Sequence, residues 1–351
     1  MDYITHIVTG VTGYRIIRTQ NLLCTDGWKE QALIACGGLF FLASVLPDFD
    51  NISRLWGMEA YIIHHRGMTH SILFMLIIAC MLGFFFGKCL KWASPAGIFL
   101  SVFTGIAFHL YMDLITSYGT QLFWPFTNTR LHLDWVFIVD PIYTLGIIFI
   151  LFGSFTIIKR PTLDTSHEPF SNEHYEGKDK RNIYLKKFLV AGFILWIVGY
   201  PLVCALIKEF AERWIVRSKN FTSQWAIIPE LGTPFIWKLI TLKDNTYKVA
   251  SVNIIKQNIT FYEATFSPLD KTLATNVGKE LPSFQTYRWF ALYPYQRIWE
   301  MGNGQKIIEV GDLRFFSPLR IIQKRRSTPP FTIFIHISNS GTPVTLNYGS
   351  P

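Results

Sequence analysis

Three imidazoles and two carboxylates are crowded into residues 48–70, in the stretches Leu46-Pro47-Asp48-Phe49-Asp50-Asn51 and His64-His65-Arg66-Gly67-Met68-Thr69-His70-Ser71. They lie between two strongly apolar segments, where ionisable side chains are expensive and are kept for a use. Histidine and carboxylate together are the donors of a metal site. A second pair, His109-x3-Asp113, projects from one face of a helix because residues four apart stand one above the other, so both could grip a single ion. The alternative for that pair is a hydrogen-bonded staple within a helix bundle.

With His6 near the start, the metal candidates are His6, Asp48, His65, His70, His109 and Asp113, with Asp50 beside them. That set exceeds the three or four protein ligands of one catalytic zinc, so either two ions or one ion with several supporting groups would fit. Neighbouring His64 and His65 cannot both face the same ion, which leaves His64 for a supporting or substrate-facing place. Arg66 could hold a phosphate or another anion. Asp140, next to Pro141, reads as a helix cap. Mixed imidazole and carboxylate donors suit zinc first, with manganese or iron as alternatives, and thiolates are absent from the set. The five cysteines show no CxxC spacing and lie mostly in or beside apolar runs, as buried hydrophobes do.

The elements that must position these groups are membrane helices. Of 351 residues, 50% are hydrophobic and only 16% charged, too apolar for a soluble chain of this size. Apolar runs at Tyr3–Ile17, Gln31–Leu46, Ile72–Phe86, Ala96–Ile115, Val136–Ile158 and Phe188–Ile207 predict an α-helical polytopic membrane bundle of about six helices, with a kink at Pro201. The first of these, rich in small residues, suits packing inside the bundle. No cleavable signal peptide is legible at Met1-Asp2-Tyr3. The expected organisation is a membrane-embedded domain over 1–158, a charged cytoplasmic loop over 159–187, a last transmembrane helix over 188–207, and a β-rich extramembrane domain over 208–351. Strands are expected at Phe235–Leu242, Thr246–Ile255, Ile259–Phe266, Thr286–Tyr293, Lys306–Phe316 and Phe331–Ile337.

If the helices alternate, twelve basic residues fall in the loops of one side and three, Arg54, Arg66 and Arg130, on the other. The positive-inside rule makes the first side cytoplasmic. The His/Asp loop and the C-terminal domain are then external, and His6, Asp48, His70, His109, Asp113 and Asp134 all meet at that face. The tail after residue 207 carries +8 of the net +9. Apart from the short Lys324-Arg325-Arg326, no run of basic residues interleaves with aromatics, which fits a solvated or headgroup-facing surface and not a nucleic-acid footprint. Tyr118, Trp124 and Trp135 read as an aromatic interface belt.

In order and spacing, His6, Pro47-Asp48-x-Asp50, His64-His65-Arg66-Gly67-x-Thr69-His70-Ser71, His109-x3-Asp113, Thr116-Ser117-Tyr118-Gly119-Thr120, Trp124-Pro125-Phe126 and Asp134-Trp135-x3-Val139-Asp140-Pro141 resemble the bacterial membrane-bound metal-dependent hydrolases typified by YdjM and YbcI. The resemblance covers about residues 1–150 and implies an inner-membrane protein with metal-dependent hydrolase activity, without naming a substrate. On that reading the metal activates water, and an unligated carboxylate, Asp50 or Asp134, takes the proton. His64 and Arg66 would serve the substrate, a membrane lipid or another small molecule. The rival is a non-enzymatic membrane protein whose cluster passes an ion or small solute, or only staples helices.

Overall fold

The computed structural model describes residues 1–18, 29–90, 93–157, 184–219, 224–301, 305–317, 319, 328–338 and 341–349. Most of the expected 159–187 loop, with His167 and His174, lies outside these residues, as does the Gly302-Asn303-Gly304 turn. The N-terminal region consists of α1 (Tyr3–Ile17), α2 (Lys29–Val45), the short α3 (Met58–His64), α4 (Ile72–Cys89), α5 (Pro95–Leu114) and α6 (Pro141–Ile157). A last helix, α7, is helical from Tyr184, passes through a π-helical turn at Leu195–Gly199 and continues as Tyr200–Lys219. Among the described residues, four stretches are long and apolar enough to cross a membrane: Glu30–Trp56, Ile72–Cys89, Pro95–Leu114 and Tyr184–Arg217. The α6 helix is apolar but shorter.

Polar residues at the helix starts fix where these elements begin. Asp2, Ser71, Ser94 and Asp140 each accept a hydrogen bond from a backbone N–H of the first turn, and Pro95 and Pro141 occupy first helical positions where no N–H is needed. Asp140 is therefore the cap that its place beside Pro141 predicts. In α7, Pro201 has no N–H to offer the carbonyl four residues earlier. That carbonyl belongs to Ile197, inside the π turn, and it accepts the Tyr143 hydroxyl at 2.9 Å instead. The expected irregularity lies just before the proline, tied to α6.

Small residues let α1, α2 and α5 approach closely. A Cβ at Gly13 would fall inside the Phe40 ring, and one at Gly105 would stand 2.6 Å from the Phe40 carbonyl oxygen. Because backbone cannot step aside as a flexible side chain can, Gly105→Ala is expected to destabilise the bundle by about 1–3 kcal/mol. Thermal unfolding in detergent reads this directly; an unchanged midpoint would show that α2 and α5 can separate freely.

The C-terminal domain is an eight-stranded antiparallel sheet in sequence order: β1 (Gln224–Pro229), β2 (Ile236–Lys243), β3 (Thr246–Asn253), β4 (Asn258–Pro268), β5 (Pro294–Glu300), β6 (Lys306–Asp312), β7 (Ile333–Ile337) and β8 (Pro343–Tyr348). Asp244 and Asn245, both at positive φ, turn β2 into β3, as their residue types predict. Two expectations need correction. The last membrane helix does not stop at Ile207, because Ala211 and Ile215 recur four apart and bury against Trp237, Leu239 and Val252 of the sheet. Thr286–Tyr293 is not a strand: Pro282 opens helix α9 (Pro282–Phe290), which follows α8 (Lys271–Glu280). Phe284, Tyr287 and Phe290 are buried at helical spacing, and the first two pack with Ile308 and Ile335.

The domain is seated on the helical region. Arg314, anchored to Asp312 at 2.7 Å, donates to the carbonyls of Ser117 and Tyr118 at 3.2 and 3.1 Å. Around it Ile62 and Tyr118 pack with Phe290, Phe315 and Phe331. Thr286 of α9 donates to Glu59 of α3 at 3.0 Å.

Candidate metal centre

Chain order brings four donors to one point. Asp48 follows α2 on the 3₁₀ stretch Leu46–Trp56, His70 precedes α4, and His109 and Asp113 stand one turn apart near the end of α5. Their donor atoms all lie within 4.8 Å of one another. His70 Nε2 is 3.1 Å from His109 Nε2 and 3.1 Å from Asp113 Oδ2, and His109 Nε2 is 3.4 Å from Asp113 Oδ2. Asp48 Oδ1 completes the group at 3.8 and 3.7 Å from the two imidazoles. Ligands at about 2.1 Å from a tetrahedral ion stand about 3.4 Å apart, so the 3.1–3.4 Å separations among His70, His109 and Asp113 match one coordination sphere, with Asp48 slightly farther out.

The outer hydrogen bonds decide what the inner atoms carry. The Ser44 carbonyl can only accept, so His109 Nδ1, at 2.8 Å from it, is the donor, and a neutral His109 then has its lone pair on Nε2. His70 Nδ1 is 3.0 Å from Asp50 Oδ2, the carboxylate–histidine arrangement that fixes a ligating imidazole. Two imidazole lone pairs and a carboxylate oxygen thus converge on one another. Asp113 Oδ2, buried and close to both nitrogens, makes no hydrogen bond. Such a group can accept a cation at its centre. For His70, burial alone would favour the neutral ring, but the carboxylates of Asp113 and Asp50 close to its two nitrogens outweigh it and push the pKa up to about 9. Without a metal, the proton is the cation. The buried His/Asp group can therefore hold a metal ion.

The profile of the YdjM inner membrane protein family matches residues 1–203. The chain belongs to the YdjM family. YfhP of Bacillus subtilis (strain 168), an uncharacterized protein, is 28% identical over 145 residues, 40% of this chain and 42% of YfhP. The chain thus spans less than half the length of that curated relative. No solved structure matches.

Within the YdjM region, the remaining sequence candidates separate by position. Asp50 is wholly engaged: it lies 2.8 Å from His65 Nδ1 and 3.0 Å from His70 Nδ1, and accepts from the Arg66 N–H and the Thr69 hydroxyl. With Asp48 and His65 it forms a second group of donors, so Asp48 is common to both sets. His6 stacks on His109, ring centroids 3.8 Å apart, and reaches the far oxygen of Asp113, Oδ1, at 3.3 Å. It steadies two ligands from behind. Arg66 is not a free anion-binding arginine. Its guanidinium is buried, paired with Asp113 Oδ1 at 2.8 Å and donating to Thr116 Oγ1 at 3.0 Å. The Met1 amine also contacts Asp113.

His64 and Asp134 are not brought to the centre. Consecutive residues at the end of α3 diverge, so His65 turns inward while His64 is exposed beside Met68, Gln121, Trp124 and Trp289, on a separate groove of about 550 Å³. Asp134, at positive φ, pairs with His132 at 3.0 Å and approaches Lys208 of α7 at 3.9 Å. It ties a loop to the last helix. Tyr118 belongs to no interface belt; it is buried, with the guanidinium groups of Arg66 and Arg130 4.7 and 5.6 Å from its ring centroid. Sequence reasoning missed Ser44, whose contribution is a backbone carbonyl and carries no residue-type signal. Thr69 lies inside the histidine motif, and its position between His64-His65 and His70 was the available clue.

A cavity of about 740 Å³ opens beside the centre. Asp48, His65 and Arg66 line its membrane-domain side, and Glu230, Lys238 and Phe331 its β-domain side.

Proposed function

We propose that this chain is a metal-dependent hydrolase acting on an ester or phosphoester of a membrane-associated molecule. The observation that supports it is the convergence of His70 Nε2, His109 Nε2 and Asp113 Oδ2 at 3.1–3.4 Å, with Asp48 closing the group on its cavity side. Two imidazoles and a carboxylate are the ligand set of several hydrolytic zinc enzymes, which favours zinc, while manganese and iron accept the same donors. A divalent ion bound there supplies a Lewis acid and lowers the pKa of water toward neutrality.

The chain's own residues divide the remaining work. His70, His109 and Asp113 hold the ion, and Asp50, Ser44, Arg66 and His6 fix those three in place. Asp48 meets both the donor group and the cavity, so it is positioned to take the proton of an attacking water. Asp50 has no oxygen left for that role and Asp134 lies elsewhere. His65, held neutral because burial pushes its pKa down to about 4 despite its bond to Asp50, is the neighbouring imidazole on the same wall.

The site is assigned to the external face, on the twelve-to-three distribution of basic residues. A reporter fused after Pro351 is expected to behave as external, and one inserted near Lys178 as cytoplasmic. Reporters on the same side would overturn the orientation. The enzyme reading itself is tested on purified, detergent-solubilised protein by elemental analysis and by ester and phosphoester hydrolysis before and after chelation. Stoichiometric metal with chelator-sensitive turnover is expected; driven ion flux in liposomes without turnover would favour a transporter.

A further inference from the structure

The cavity above the centre has a built polar wall outside the YdjM region. Glu230, immediately after β1, is 2% exposed. One of its oxygens accepts from the Leu231 N–H and the Ser317 hydroxyl at 3.0 Å each, while Oε2 is buried with no hydrogen-bond partner. Lys238 of β2 lines the same wall, with two of its protons given to the carbonyls of Arg314 and Phe316. On the opposite wall Tyr118 Oη and Arg66 Nε are also buried and unpartnered. Unmade hydrogen bonds at a cavity are costly unless a ligand completes them. The rest of the lining is apolar, with Phe137, Ile138, Leu231, Phe315, Phe316 and Phe331. Asp48, late in the Glu30–Trp56 span, and Arg66, shortly before the Ile72–Cys89 span, line the same cavity.

We infer that the β-domain is the selecting half of this site, and that it takes a glycerophospholipid-like amphiphile whose head group carries a hydrogen-bond donor for Glu230. The apolar lining receives the tail, the Lys238 ammonium supplies positive charge for a phosphodiester, and the carboxylate of Glu230 accepts from an ammonium or hydroxyl of the head. Binding of such a molecule stands on the cavity alone. Only the statement that it is the substrate rests on the hydrolase reading.

The test separates the two. Metal-stripped full-length protein in detergent is titrated, by native mass spectrometry, with dioleoyl phosphatidylethanolamine, phosphatidylglycerol and phosphatidylcholine, which differ in the donor on the head group. Ethanolamine and glycerol lipids are expected to bind about tenfold more tightly than the choline lipid, which has no donor. Glu230→Gln is expected to reduce that preference to less than about threefold, and Phe331→Ala to weaken all three lipids alike. Equal binding of the three lipids by the unmodified chain would overturn the inference whether or not the variants fold. A preference that survives Glu230→Gln, or equally tight binding of tail-less glycerophosphoethanolamine, would do the same. Selective binding without turnover in the metal-loaded protein leaves the lipid site standing and removes the hydrolase reading. Turnover without head-group selectivity does the reverse.

Discussion

Replacing His109 with alanine is expected to empty the metal centre in a protein that still folds. His109 supplies one of only two imidazole nitrogens at the point of convergence, and its other nitrogen is committed to the Ser44 carbonyl. Removing an outer support of a metal ligand lowers affinity by about 10–100-fold, so losing the ligand itself should exceed that range. Asp50→Asn, which weakens the orientation of His70 while leaving all four inner donors, should fall within it. The same logic predicts a pH signature. His70 must lose its proton to bind metal, and its pKa in the metal-free protein is pushed up to about 9. Apparent affinity should therefore climb as pH rises through the neutral range toward 9 and then level off. Metal content by elemental analysis, read beside monodispersity in detergent, decides the matter. A folded His109→Ala protein that keeps full metal would reduce the cluster to a polar staple, with no chemical basis for hydrolysis.

Arg66→Ala is expected to be severe for a different reason. A loop arginine in the histidine motif invites the reading that it faces an anionic substrate and that its loss spares metal. Its guanidinium instead sits against Asp113 and Thr116, at 2.8 and 3.0 Å. Both partners are buried. Breaking such a pair by removing one member costs about 3–5 kcal/mol, because the remaining carboxylate stays buried without compensation. The variant should unfold at a markedly lower temperature and bind metal poorly, since Asp113 loses the group that turns Oδ2 toward His70 and His109. Arg66→Lys should rescue only part, since one ammonium cannot reproduce the spread of a guanidinium. Wild-type melting and metal content in Arg66→Ala would return the arginine to the substrate.

Much of this site was legible because chemistry restricts residue type. Asp48, His70, His109 and Asp113 stand out in apolar surroundings, and the fold brings all four together. Which carboxylate ligates and which orients could not be read, since Asp48 and Asp50 are two residues apart and differ only in where the 3₁₀ stretch aims them. His64 and His65 posed the same problem, settled by the turn that ends α3. In the β-domain, strands with alternating patterns declared themselves. Thr286–Tyr293 misled because Tyr287, Trp289 and Tyr293 favour strands, while Pro282 and the three-residue spacing of Phe284, Tyr287 and Phe290 favoured the helix that formed. Residues 208–219 are polar enough to be read as soluble chain, yet they stay helical because the sheet covers Ala211 and Ile215.

The sequential order of the eight strands bears on how this domain is made. Each strand from β2 to β8 hydrogen-bonds to the one synthesised just before it, so none waits for a partner still to come. The first sheet contacts form against the end of α7, the element that leaves the bilayer immediately ahead of them. A chain emerging from its amino-terminal side can therefore build the sheet edge by edge on a surface already in place. Short sequence separations keep loop-closure entropy low and folding fast. Two helices intervene between β4 and β5, where the sheet narrows to the pairs Ser267–Gln296 and Pro268–Tyr295. The two four-stranded halves of the sheet therefore pair only across that two-pair seam, and the first half is the one packed on the helix.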